Sequence, residues 1–160
     1  MNDSNHIMRE QLTELLLGKS AHLDFTKAIA GLPPKLRGAK PPGQPHTVWR
    51  LVDHMRIAQR DILDFTKDGR HKSPKWPDGY WPKSDAPRDA KQWNDCVKEF
   101  KADLKEMMRI VKDRKVHLLT PIPGGQGQTV LREAMLLADH NAYHLGQIVI
   151  VRRLLGAWED

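Results

Sequence analysis

The chain has 160 residues, with 26 Lys+Arg against 20 Asp+Glu, a formal charge of +6 and 39% apolar residues. That is one ordinary domain, read here as spanning 1–160, with enough surface to bury a core; its single cysteine, Cys96, excludes a disulfide framework and a cysteine-rich zinc module. No apolar run reaches the roughly 18 residues of a membrane span, the polar start from Met1 to Arg9 lacks the apolar core of a leader, and the basic residues are scattered, so the expectation is a cytoplasmic protein with no membrane and no specific nucleic-acid partner.

The prolines fall in three groups, 33–45, 74–87 and 121–123, and leave four proline-free stretches. Proline breaks helix interiors, so each stretch is free to form one helix. The first carries Met8, Leu12, Leu15, Leu16, Leu23 and Ile29 at helical spacing, with a stop at Gly31 before Pro33 and Pro34, and predicts a helix over 5–30. On that helix His22 shares the inner side with Leu15 and Ile29. The second, expected over 47–67, has Thr47 as N-cap, apolar positions from Val48 through Phe65, and a stop at Asp68-Gly69.

The link that follows, 69–87, holds Trp76, Tyr80 and Trp81 among prolines. A long loop of this kind is uncommon and often functional. Its rings either anchor the crossover or wall a ligand pocket, and at least two of the three are expected to be buried. Lys67, Arg70, His71, Lys72 and Lys75 form a basic group in the same region, read as a solvated loop or an anion contact.

The third stretch repeats Trp93, Val97, Phe100, Leu104, Met107 and Val111 and predicts a helix over 88–115, with Cys96 as inert packing. The fourth follows Gly124-Gly125-Gln126-Gly127, a flexible turn or an anion site, and predicts a helix over 129–155 capped by Thr129. The β-branched residues at 149–151 fall inside that helical period, so no strand is expected. Four amphipathic helices imply an all-α four-helix bundle. The 69–87 link reaches roughly 60 Å when extended. A 20-residue helix is only about 30 Å long, so the third helix can start at the same end as the second. An up-down-down-up bundle results.

Histidines carry the chemistry. His140 and His144 are one helical turn apart, and with Gln147 they fall within about 40° of one another on the wheel, flanked by Leu137, Ile148 and Val151. Charged imidazoles there are costly, whereas neutral ones sharing a cation are satisfied. The residues between them lack the glutamate of a zincin helix. His54 stands at the edge of the second helix's apolar face and is the natural third ligand; the competing reading is three hydrogen-bonded helix histidines without a metal. His22 reads as a fourth ligand, a second-layer donor or a satisfied core histidine. His46 reads as loop or cap, and His6, His71 and His117 as surface.

The second-helix segment "VWRLVDHMRIAQRDIL" (48–63) and the fourth-helix segment "LLADHNAYHLGQIVIVRRLLG" (136–156), with the "YWP" of the link, resemble the DinB/YfiT-like superfamily. The resemblance implies an up-down-down-up bundle holding a divalent metal on His54, His140 and His144, and a homodimer. Zinc or nickel is the expected ion, and the resemblance points to a small molecule or thiol as substrate, since relatives of the type include thiol-dependent S-transferases. Two functions follow. One is a metal-dependent enzyme, transferase-like or hydrolase-like, with open positions on the ion and with Gln147 and Arg50 orienting a substrate or supporting the ligands from behind. The other is a non-catalytic metal-binding or interaction module, in which a structural ion clamps two helices.

Overall fold

The computed structural model describes residues 3–18 and 20–158. It contains α1 (Asp3–Leu17), α2 (Phe25–Ile29), one 3-10 turn at Pro34–Leu36, α3 (Val48–Lys67), α4 (Ala90–Lys112) and α5 (Val130–Leu154). There is no strand among the described residues, only an isolated bridge between Pro121 and Thr129. The three long helices start where a polar side chain takes an orphan amide. Thr47 accepts from the Arg50 N–H at 3.2 Å, Asp89 from Gln92 at 2.7 Å and Thr129 from Arg132 at 3.2 Å. Such caps contribute about 1 kcal/mol each.

The expected single helix over 5–30 is broken. Gly18 takes φ +63°, a left-handed conformation that ends α1, and the chain restarts only when Asp24 accepts from the Lys27 N–H at 2.9 Å. Lys19, which the longer helix would have crossed, lies outside the described residues. The break changes which side chains face inward. Leu12 and Leu16 are buried, whereas Leu15 is 51% exposed. His22 is exposed in the link, not on the inner side of a helix, and its Nδ1 lies 2.9 Å from the carbonyl of Leu23.

Contacts between α3 and α4 ascend together. Trp49 meets Trp93, Asp53 meets Cys96, Arg56 meets Glu99, and Arg60 meets Asp103 at 2.6 Å. The two helices therefore run in the same direction, as the long link between them permits. Against α5 the order descends: His54 meets His144, and Gln59 meets Asn141. Gln59, fully buried, ties all three helices, donating to the Phe100 carbonyl at 2.6 Å and accepting from Asn141 at 3.1 Å. Satisfied on both sides, it is a polar anchor less than two turns beyond His54.

Two apolar clusters fill the interior. One gathers Trp49, Val52, Met55, Phe100, Leu145 and Ile148 under the histidine end, with Phe25 of α2 stacked on Phe100 at 3.9 Å. The other gathers Leu12, Leu63, Met107, Val111, Leu118 and Leu137 at the opposite end. There Arg9 donates to the carbonyls of Val111, Asp113 and Val116, at 2.6, 2.9 and 2.6 Å, and so satisfies the C-terminal end of α4 from α1.

The glycine-rich turn before α5 serves packing. Gly69 donates to Pro123 at 3.2 Å, and a Cβ on Gly69 would collide with the Gly125 backbone. Much of the basic group beside it is paired: Lys67 with Glu106, Arg70 with Asp68, and His71 with Asp61.

Candidate metal centre

α3 and α5 bring His54, His140 and His144 together across the bundle. The Nε2 of His54 lies 3.1 Å from the Nε2 of His144 and 3.1 Å from the Nε2 of His140. The opposite ring nitrogens are held outward. His54 Nδ1 donates to the Tyr80 carbonyl at 2.8 Å, and His144 Nδ1 donates to the Gln147 side-chain oxygen at 2.7 Å. A carbonyl oxygen only accepts, so both Nδ1 atoms carry the proton and both Nε2 atoms present lone pairs.

Two lone pairs facing each other at 3.1 Å repel unless a cation sits between them. A proton is disfavoured there. Burial, reinforced by His144 and His54, pushes His140 down to about 3; burial pushes His144 down to about 4 and lowers His54. A divalent ion satisfies the same nitrogens without charging an imidazole. Tetrahedral zinc with Zn–N of about 2.0–2.1 Å sets its ligand nitrogens about 3.4 Å apart, close to the spacing here. A three-imidazole donor set suits a divalent first-row ion.

The crossover link supplies the surrounding wall. Trp81 stacks on His54 with ring centres 3.9 Å apart and planes 2° apart, and His46 also stacks on Trp81 at 4.1 Å. Tyr80 and Trp81 are half-buried against the bundle, so two of the three link rings pack as expected. Trp76 does not. It is 66% exposed and touches only the rim of the cluster, through the Tyr80 ring at 5.5 Å.

Gln147, expected beside the site as a pocket residue or a support for the ligands, accepts from His144 Nδ1 through its side-chain oxygen. Arg50 lies one ring removed, its guanidinium 5.9 Å from Trp81 and 3.3 Å from Asp85. Tyr143, on the solvent side, meets His144 ring to ring in a T-shaped pair at 5.0 Å. His22 makes no contact with the three imidazoles among its described interactions, lying in the α1–α2 link. Cys96 is buried and its thiol donates to Asp53 at 3.5 Å; burial and the Asp53 carboxylate push its pKa well above the ordinary thiol range, which makes it inert.

Three participants escape sequence reasoning. His46 stacks on Trp81, the Tyr80 backbone carbonyl fixes the His54 tautomer, and Asp61 anchors Tyr80. Only Asp61 leaves a sequence signal, standing seven residues after His54 on the same helix face. A family model described as the DinB superfamily matches residues 20–148, most of the chain and all three histidines. No curated protein and no solved structure gives a match.

Proposed function

The chain belongs to the DinB superfamily, and on that footing we propose that it is a divalent-metal protein acting as a metal-dependent transferase or hydrolase on a small thiol or a water-labile substrate. The observation that carries this reading is the donor count. Among the described residues three imidazoles converge, and no fourth His, Cys, Asp or Glu joins them. Structural zinc sites are normally closed by four protein ligands, whereas three leave room for exchangeable groups.

A bound divalent ion supplies Lewis acidity, lowering the pKa of a thiol or water that reaches it. The protein's part is to hold three neutral imidazoles in one orientation and to shape the approach. His54 is locked in plane by Tyr80 and from the face by Trp81. His144 is locked by Gln147. The solvent-facing ring of Tyr143 offers aromatic surface for the body of a small organic substrate, and Arg50 lies within reach of an acidic group on it. No helix among the described residues is long and apolar enough to cross a membrane.

The experiment is to load the protein with cobalt(II) and add 2-mercaptoethanol. A new thiolate-to-cobalt charge-transfer band, with S-transfer to an added alkyl electrophile, is the expected result. Stoichiometric bound cobalt whose spectrum no thiol changes would identify a closed ion clamping α3 to α5, and would overturn the enzymatic reading.

A further inference from the structure

Asp61 ties the crossover link to α3 at two points. Its Oδ2 accepts from the Tyr80 hydroxyl at 2.6 Å, and its Oδ1 lies 2.8 Å from His71 Nε2. The Asp61 side chain is only 12% exposed, so these are partners in a largely dry setting and not a solvated surface pair. Tyr80 is itself attached twice to the same face of α3. Its side chain ends on Asp61, while its backbone carbonyl ends on His54 Nδ1 at 2.8 Å. His54 and Asp61 are seven residues apart, two helical turns or about 10 Å along one face. Tyr80 therefore lies along α3 as a strap fixed at both ends, and Trp81, the next residue, stacks on His54.

This arrangement has a chemical consequence. A backbone carbonyl in an irregular loop has freedom to turn away, and if it does, the neutral His54 is free to move its proton to Nε2, where it can no longer bind a cation. Anchoring the tyrosine ring removes that freedom. We propose that Asp61 is a positioning residue of the metal centre, acting through the Tyr80 hydroxyl to hold the Tyr80 carbonyl on His54 Nδ1 and thereby to keep the Nε2 lone pair of His54 aimed at the cation. The inference rests on the three-imidazole metal reading for its effect on affinity, but its effect on the His54 ring does not need a metal. Outer partners of ligating histidines typically change metal affinity 10- to 100-fold when removed.

The test has two readouts on the full chain. In the metal-free protein, imidazole nitrogen NMR reads the His54 tautomer. In competition with a chromophoric chelator, zinc(II) alone reads the affinity. Wild type is expected to hold His54 as the Nδ1–H form. Asp61→Ala and Tyr80→Phe are each expected to mix the two tautomers and to weaken zinc binding about 10-fold. The double variant is expected to be no worse than Asp61→Ala alone, because the Tyr80–Asp61 bond is already lost there together with the His71 contact. Asp61→Asn, which still accepts from the Tyr80 hydroxyl, is expected to restore most of the affinity. If Asp61→Ala does not fold, Tyr80→Phe removes one hydroxyl and carries the same two expectations. An unchanged tautomer and unchanged zinc affinity in Tyr80→Phe would overturn the proposal, as would multiplied losses in the double variant. If wild type binds no zinc, the metal reading fails, and the tautomer measurement alone still decides the role of Asp61.

Discussion

His54 and His144 face each other through two unprotonated nitrogens, Nε2 to Nε2, at 3.1 Å. Each ring is held there by an oxygen on its other side, the Tyr80 carbonyl for His54 and the Gln147 side chain for His144. A shared cation would satisfy both lone pairs, and the consequences of this geometry can be measured one at a time.

Acid should weaken the metal-free protein early. His140 is pushed down to about 3 and His144 to about 4 in the folded chain, while an unfolded histidine titrates near 6.5. Between those values the unfolded state binds more protons than the folded one, so stability is fully present above about pH 6.5 and falls as pH drops toward 4. The same shifts keep the folded imidazoles neutral below pH 6, so metal release by acid is expected nearer pH 4 than the pH 6 of ordinary histidines. Urea midpoints of metal-free protein across pH 4–7 check the first; a flat profile contradicts it.

Trp81 should report the metal. Its ring lies 3.9 Å from His54, so copper(II) on the three imidazoles is expected to quench it efficiently. Fluorescence loss on adding one equivalent of copper should shrink strongly in Trp81→Phe, although four other tryptophans remain. Equal quenching in the variant would place the ion elsewhere.

Gln59 should behave as a polar keystone. Replacing it with Ala leaves the Asn141 amide without its partner and opens a void between three helices. The expected cost is about 2–4 kcal/mol of stability, read from urea denaturation. A cost under about 0.5 kcal/mol would mean that water takes over both bonds.

Cys96 should be silent in the native state. It is buried against Asp53, and its thiol pKa is raised. A disulfide reagent at pH 8 is expected to modify it only at the rate of opening, with labelling accelerated by sub-denaturing urea. Immediate stoichiometric labelling would contradict that burial.

The sequence made the helices legible because proline and the caps punctuate them. Thr47 and Thr129 start α3 and α5 where their hydroxyls predict, and the one-turn spacing of His140 and His144 survives intact. The first helix differs because Leu23 keeps a helical period with Leu12 and Leu16, and Ile29 with Leu15, across Gly18, whose left-handed backbone has no signature in periodicity. The His140–His144 pair was legible because helix geometry alone brings i and i+4 together, and His54 joins it through the packing of α3 on α5. Their supports were not. The Tyr80 carbonyl is a backbone atom that any residue carries, and the stacking of His46 on Trp81 depends on how two links fold over the end of α3.

The most direct measurement is the metal content of the protein purified without chelator, in wild type and in His54→Ala, His140→Ala and His144→Ala, with His6→Ala and the exposed His22→Ala as controls. About one divalent ion per chain is expected in wild type and in both controls, and loss of most of it in each of the three variants. Full metal retention in a His54→Ala, His140→Ala double variant, or its loss in His22→Ala, would contradict the assignment.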